Sequence, residues 1–161
     1  MITPYQSELK TLVALGIDLE AFSKFQIICL PENVFTASGV GKLRDAGESR
    51  HFAKLLIDSR VRCATALDIG IDVPFILRRS KDSRLGVVWV RDTLALPMLV
   101  GVISSLIASN IQESSSDQPK SNVHVDLYFE RGEDVTRLSY KGDGETLVNI
   151  LKAIQHDSIK K

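Results

Sequence analysis

The 161-residue sequence contains two cysteines, three histidines and no net charge. Cys29 and Cys63 both fall in apolar runs, which is typical of reduced, buried thiols rather than of a disulfide or metal site. The balance of 20 basic and 20 acidic residues gives no reason to expect nucleic acid or an anionic membrane as a partner. Residues 1–10 lack the basic start and apolar core of a signal peptide. We therefore expect a cytoplasmic protein without a metal site or cofactor.

No motif in the sequence specifies a reaction, so whether the protein is an enzyme stays open and no catalytic residue is assigned. No serine lies in a G-x-S-x-G turn, and neither cysteine has the sequence surroundings of a nucleophile. His124 and Asp126 share one face of a predicted strand, a spacing that acid–base or metal chemistry can use. Such a pair on an exposed strand is more often a solvated face, which is the interpretation that we favour.

The segment Gly39-Val40-Gly41-Lys42 invites comparison with the phosphate-binding pattern G-x-x-x-x-G-K-[ST]. Thr36 stands where the first glycine is required, and Leu43 replaces the final Ser or Thr. A flexible glycine loop is the better interpretation. The loop nevertheless follows a strand and precedes a helix, where backbone amides can bind an anion.

The residues from Thr93 to Gln112 carry no charged side chain, which raises the question of a membrane span. Pro97 argues against one, because proline is tolerated in the first helical turn but breaks a helix interior. A helix from Pro97 to Asn110 has about 14 residues and is about 21 Å long. The hydrocarbon core of a bilayer is about 30 Å thick, so we expect a helix within the protein and no membrane span.

Gly101, Ser105 and Ala108 lie on one face of this helix. Since the helix is apolar almost all round, it should be covered on both sides. One interpretation places the small face flat on a sheet, with other elements behind the helix. The alternative is that one face meets a partner subunit.

The elements predict a single α/β domain over residues 1–161, a layered sandwich with a mixed β-sheet and a buried central helix at about 97–110. Apolar runs predict strands at Phe25–Leu30, Val61–Leu67, Val73–Arg79 and Leu85–Arg91, and a capping box at Asp45–Glu48 predicts the start of a helix that runs to about Asp58. Trp89 is expected in the core. Residues 112–122 resemble an exposed linker, and residues 123–161 a β-hairpin plus helix that extends the sheet.

The corner Arg91-Asp92-Thr93 is the most position-specific candidate for a ligand site. It follows the predicted central strand and precedes the apolar helix, where ligands collect in open α/β sheets. Arg60 to Arg91 holds seven basic residues against three acidic ones, which indicates a basic face. Arg62, Asp68, Gly41 and Lys42 complete the candidate ligand-binding set. Asp92 and Thr93 would serve equally well as helix caps without any ligand.

Two functions follow from these patterns. The favoured one is a non-enzymatic protein that binds a partner or ligand and associates, with itself or with another protein, through the apolar helix or a sheet edge. The alternative is an enzyme or sensor that acts on a phosphate-bearing small molecule, such as a nucleotide, at the basic corner. Arginines at strand ends that simply reach solvent and pair with nearby aspartates would leave this alternative without support.

Overall fold

The computed structural model describes residues 10–36, 39–46, 48–71, 73, 83–113, 122–131 and 134–159. Helix α1 is described over residues 10–14 and is followed by α2 (Leu19–Phe22). The other helices are α3 (Ser49–Asp58), α4 (Leu96–Glu113) and α5 (Gly144–Ile159). The strands are β1 (Ile27–Leu30), β2 (Cys63–Ala64), β3 (Ser83–Val90), β4 (Asn122–Arg131) and β5 (Asp134–Asp143).

The five strands form one mixed sheet in the order β2-β1-β3-β4-β5, which confirms the predicted α/β class. β1 runs parallel to β2 and antiparallel to β3, and β3 runs parallel to β4. β4 and β5 form the predicted hairpin, and it extends the sheet beyond β3. β3 and β4 therefore end at the same end of the sheet at which β1 begins.

The helices α3, α4 and α5 cover one face of the sheet, called here the helix face. Each contributes apolar side chains at helical spacing, and the alternate residues of β3 and β4 meet them. The buried side chains include Phe52, Leu56, Leu99, Ile103, Leu147, Leu151, Val88, Val90, Leu127 and Phe129. Burial of residues of this size contributes about 1.5–3 kcal/mol each, so this layer is the main apolar core.

The segments around α1 and α2 and the loops after β1 and β2 cover the opposite face, called here the loop face. Its buried side chains include Leu12, Ile17, Phe22, Val34, Leu43, Ile69, Val87, Trp89 and Tyr128. Trp89 is fully buried, which confirms its predicted place in the core. The sheet is thus buried on both sides along β1 and β3, and this explains the continuous apolar runs of these strands.

The strand predicted at Val61–Leu67 was too long. Only Cys63 and Ala64 pair with β1, and a 3₁₀ helix begins at Leu67. Asp68 explains the early end of the strand, because its carboxylate accepts hydrogen bonds from the backbone N–H of Thr65 at 2.9 Å and its hydroxyl at 3.1 Å. Such local side-chain bonds compete with strand pairing. The run predicted at Val73–Arg79 lies almost entirely outside the described residues.

The capping box predicted at Asp45–Glu48 does not form. The cap residue of α3 is Glu48, whose side chain makes no capping hydrogen bond, and the Glu48 N–H donates to the carbonyl of Arg84 at 2.9 Å. The Asp45 side chain is 12% exposed and lies 3.7 Å from Arg50. Burial raises the pKa of the Asp45 carboxyl, and the Arg50 guanidinium opposes that effect.

The cysteines lie side by side on β1 and β2. Both are buried, and their sulfur atoms are 3.8 Å apart. The neighbouring thiol and burial raise the pKa of the Cys29 thiol well above its usual value. This pair is therefore packed in the apolar core, as the sequence predicts.

Helix α4 starts one residue before Pro97 and extends three residues beyond Asn110. Pro97 lies in the first turn, where its missing N–H leaves no hydrogen bond unmade. Among the described residues, no helix is long and apolar enough to cross a membrane. Residues 114–121 of the predicted linker lie outside the described residues. Its first two residues belong to α4, and its last residue belongs to β4.

Candidate functional sites

The predicted corner at Arg91 is built from side chains that bind one another. The Arg91 Nε lies 3.3 Å from a carboxylate oxygen of Glu130, the residue after Phe129, which pairs beside Val90. Its Nη1 donates to the carbonyl of Phe22 at 3.3 Å, and its guanidinium lies 5.4 Å from the Phe22 ring centre. The Arg91 charge is therefore used to hold α2 against the ends of β3 and β4.

The Glu130 carboxylate is 8% exposed and also accepts a hydrogen bond from the indole N–H of Trp89. The Trp89 ring stacks on Tyr128 with centres 5.2 Å apart and planes 7° apart. The Phe22 and Trp89 rings pack edge to face, with their centres 5.7 Å apart. A nearly buried carboxylate is stable here because a cation and an N–H group both bind it.

Asp92 has the capping role that the sequence offered as an alternative to ligand binding. One carboxylate oxygen accepts from the N–H of Leu94 at 3.0 Å, in the 3₁₀ helix that begins at Thr93. The other accepts from the Gln26 amide at 3.3 Å, and the Gln26 oxygen accepts from the N–H of Arg62 at 3.0 Å. The structure therefore brings Arg62, Arg91, Asp92 and Thr93 to one end of the sheet.

Lys42 and Gly41 lie at the other end of the sheet. Leu30 pairs with Val87, so the loop that follows β1 extends beyond the end where β3 begins. Gly41 and Lys42 are exposed in a three-residue 3₁₀ helix, and the Lys42 carbonyl accepts from the Asn33 side chain at 2.9 Å. The predicted ligand-binding set is thus divided between two ends of the sheet, with Asp68 bound to its own loop.

The basic residues between Arg60 and Arg91 are also divided between the two ends of the sheet. Its described side chains include Arg84 and Arg91, and these lie at opposite ends of β3. Arg84 lies 3.6 Å from Glu32, whereas Arg91 binds Glu130. Arg78, Arg79 and Lys81 lie outside the described residues. The described arginines of this segment therefore do not form one basic face.

Helix α4 turns its small residues away from the sheet, whereas the first interpretation of its sequence placed them against the sheet. Its large residues face the sheet, and Leu96, Leu99, Val102 and Ile103 are buried there. Its small residues face outward: Gly101, Ser104 and Ser105 are exposed. Ala108 continues this spacing, but its side chain lies outside the described residues. The expectation that the small face lies flat on the sheet is wrong, since the larger side chains bury more apolar surface there.

The described part of the outward surface of α4 and of the 3₁₀ turn before it, called here the outer face of α4, holds Leu94, Pro97, Met98, Gly101, Ser104 and Ser105, and none of these is charged. Leu94 is 82% exposed and Met98 is 49% exposed. The larger side chains occupy the first half of this face, and the small ones the second. The sequence could have shown this gradient, since it follows from the spacing of three and four residues.

Among the described residues, no group of three His, Cys, Asp or Glu side chains could hold a metal ion. Comparisons with protein-family models, curated proteins and solved structures found no match to this chain.

Proposed function

We propose that the protein is non-enzymatic and acts by association, with the outer face of α4 packed against the same face of a second copy. The observation that carries this proposal is the exposed, uncharged face with a gradient of side-chain size. If two copies of α4 pack antiparallel, Leu94, Pro97 and Met98 of each copy meet the small residues of the other. This fit needs no other protein, because the face is complementary to itself under a twofold axis.

Charge supports self-association at this face. Two identical faces with charged residues would place like charges together, which costs free energy. The outer face of α4 has none, and the Ser104 hydroxyl already donates to the Val100 carbonyl at 2.9 Å within the helix. Burial of Ser104 in an interface would therefore not leave its hydroxyl unpaired.

Gly101 gives independent support. It lies in an exposed part of α4, its φ is not in the left-handed region, and a Cβ there would meet no atom within 4 Å. A glycine in such a position costs about 1 kcal/mol relative to alanine. Nothing within the described chain requires it, whereas close approach of a second helix would.

The edge strand β5 is a weaker candidate for association. It pairs with β4 and with no other described strand. Arg137 and Lys141 are exposed along it, and charged side chains of this kind oppose edge-to-edge pairing. We therefore place the contact on α4 rather than on the sheet edge.

A size measurement with one variant and one matched control tests this proposal. Light scattering coupled to size exclusion should give the mass of two chains for the unaltered protein. Ser105→Arg places a charge within the proposed contact, opposite the larger residues of the other copy, and should give the mass of one chain, which stays folded but melts at a lower temperature without its partner. Asn149→Arg adds the same charge to an exposed position of α5 and should leave the dimer intact.

Three outcomes would count against the proposal. A single-chain mass for the unaltered protein at every concentration would rule out self-association, and would leave a different protein as the partner of this face. A Ser105→Arg variant that remains dimeric would place the contact elsewhere. Equal dissociation by Asn149→Arg would show an effect of charge alone.

A second candidate function, binding of a phosphate-bearing small molecule, is favoured by a cavity at the end of the sheet opposite Arg91.

A further inference from the structure

A cavity of about 350 Å³ lies at the end of the sheet where β1 ends and β3 and β4 begin. The loop after β1, the start of β3, and neighbouring parts of β4 and β5 form its walls. Its lining includes the side chains of Glu32, Arg44, Arg84, Asp126, Ser139 and Lys141. Cavities that hold small molecules have volumes from about 300 Å³ upward, so this one has room for a small ligand.

A β-bulge places Arg84 in this cavity. Side chains alternate between the two faces of a strand, so Arg84 would lie on the helix face with Val88 in a regular strand. The register between β3 and β4 shifts between Arg84 and Gly86, and Leu85 joins the helix-face core. Arg84 instead pairs with His124 and lines the cavity. Bulges commonly redirect a side chain in this way at functional sites.

Gly86 makes the bulge sterically possible. Its φ of +76° lies in the left-handed region, which glycine adopts without steric cost. A Cβ at Gly86 would lie 3.1 Å from the Cβ of Ala46 and 3.2 Å from the carbonyl oxygen of Leu30. The orientation of Arg84 therefore depends on a glycine that no other residue replaces without strain.

The charges around the cavity leave an excess of cations. Glu32 lies between two arginines, at 2.8 Å from Arg44 and 3.6 Å from Arg84. Asp126 lies 3.6 Å from Arg137, which is outside the lining. With Lys141 also at the wall, the lining holds three cations and two carboxylates, and Arg137 beside Asp126 brings the local balance to four cations against two carboxylates. The remaining charge of two matches a phosphate monoester at neutral pH.

The arginine geometry also suits phosphate. A guanidinium has five N–H donors in a planar fork, so an ion pair with Glu32 leaves donors for another anion. Arg44 and Arg84 bind the same carboxylate from two chain segments, so their guanidinium groups are held close together. A phosphate bound by the guanidinium N–H groups that Glu32 does not occupy would receive hydrogen bonds from both arginines.

The rest of the lining is polar. Thr36, Asp126 and Ser139 offer hydroxyl and carboxylate groups, which bind hydroxyls. Two rings lie at the wall, those of His124 and Tyr140, and Tyr140 packs against the helix-face core and donates its hydroxyl to the Asp143 carbonyl at 2.6 Å. Charged, amide and hydroxyl side chains outnumber these rings, so the lining suits a sugar-like group better than a nucleobase, which binds chiefly by stacking on rings.

We propose that this cavity binds a small, hydroxyl-rich molecule that carries a phosphate group, with the phosphate held by Arg44 and Arg84. Asp126 and Ser139 then contact the hydroxyl groups. This site lies on the loop face and at the end of the sheet opposite Arg91, so it does not depend on association through α4.

Isothermal titration calorimetry at low salt tests the proposal with four probes: ribose 5-phosphate, ribose, inorganic phosphate and adenosine monophosphate. Ribose 5-phosphate should bind, and ribose should not, because the arginines need an anion. Inorganic phosphate should bind more weakly than ribose 5-phosphate. Equal affinity for these two would overturn the proposal that hydroxyl groups are recognised, and tighter binding of the nucleotide would overturn the preference for a ligand without a base.

Two charge-matched variants separate the cavity from general electrostatics. Arg84→Gln should weaken ribose 5-phosphate binding by about tenfold or more, which corresponds to about 1.4 kcal/mol. Its fold should persist, because Arg84 is 41% exposed and an exposed ion pair adds little stability. Arg62→Gln removes the same charge at the other end of the sheet and should leave the affinity unchanged. Equal loss in both variants, or no binding of ribose 5-phosphate to the unaltered protein, would overturn the proposal.

Discussion

The indole N–H of Trp89 donates to the carboxylate of Glu130, the same carboxylate that binds Arg91. One nearly buried acid thus satisfies a buried donor of β3 and neutralises the cation at its end. Arg91 in turn donates to the Phe22 carbonyl of α2. The chain of contacts joins β4, β3 and α2, so Glu130 stabilises the loop face as a whole.

Replacement of Glu130 should therefore be costly. Glu130→Ala leaves the Trp89 N–H without its acceptor and the Arg91 charge without its partner, and should lower the free energy of unfolding by about 2–4 kcal/mol. Glu130→Gln keeps an oxygen for Trp89 and should cost less. Urea unfolding followed by fluorescence of Trp89, the sole tryptophan, measures both.

Glu145→Ala provides the control, because Glu145 is exposed in the first turn of α5. Its loss should change stability by no more than about 0.5 kcal/mol. A Glu130→Ala variant as stable as this control would show that the carboxylate is not needed by Trp89 or Arg91.

Gly86→Ala should destabilise the protein by about 1–3 kcal/mol. The new Cβ enters a left-handed backbone position and approaches Ala46 and the Leu30 carbonyl closely. Gly41→Ala is the matched control, because its Cβ would meet nothing within 4 Å and its φ lies outside the left-handed region. Chemical unfolding of the two variants should differ clearly; similar stabilities would show that the bulge tolerates a side chain.

The sequence predicted the layers of the fold because apolar periodicity is a local property. The alternation of Val123, Val125, Leu127 and Phe129 placed β4, and the spacing of Leu147, Ile150 and Leu151 placed α5. Asp45 shows the limit of this approach. Its capping pattern was present, but the Glu48 N–H donates to Arg84 in β3, a contact that depends on the tertiary structure.

The candidate sites were harder to predict, because they depend on which strand ends meet. Arg91 and Lys42 were grouped by their positions after strands, yet β1 runs antiparallel to β3 and separates them. His124 and Asp126 were taken for a solvated face, and both line the cavity. Their shared strand face was a usable signal. The contribution of Arg84 was not predictable, since a bulge reverses its side of the strand.

The partly buried position of Asp45 predicts that its contribution to stability decreases as the pH rises, whereas that of a carboxylate with a lowered pKa increases. Burial raises the pKa of this carboxyl in the folded state, so the folded protein binds this proton more tightly than the unfolded chain. The contribution of Asp45 to stability therefore increases as the pH falls through this pKa, and its ionised form is unfavourable at neutral pH.

Asp45→Asn should accordingly raise the free energy of unfolding at pH 7 by less than about 1 kcal/mol, since the lost contact with Arg50 is partly exposed. The gain over the unaltered protein should shrink as the pH is lowered. Urea unfolding at pH 4 and pH 7 measures this difference. A variant that is less stable at pH 7 would mean that the Arg50 contact outweighs the cost of burial.

Gly101→Ala should affect folding and association in opposite directions. Alanine is the better helix former, and Gly101 has no neighbour within 4 Å that a Cβ would meet, so a single chain should gain about 0.5–1 kcal/mol. In the proposed antiparallel pair the two helices approach most closely near this glycine, so the added methyl groups should separate them. The dimer should therefore dissociate at a higher protein concentration, although each chain is more stable.

Sedimentation equilibrium of Gly101→Ala, combined with thermal unfolding in the single-chain Ser105→Arg background, measures the two effects separately. In that background, the increase in melting temperature measures only how much the alanine stabilises the helix of a single chain. If Gly101→Ala raised stability and left the dissociation constant unchanged, Gly101 would not lie at the contact. If it lowered the stability of the single chain, the outer face of α4 would be in contact with some other part of its own chain.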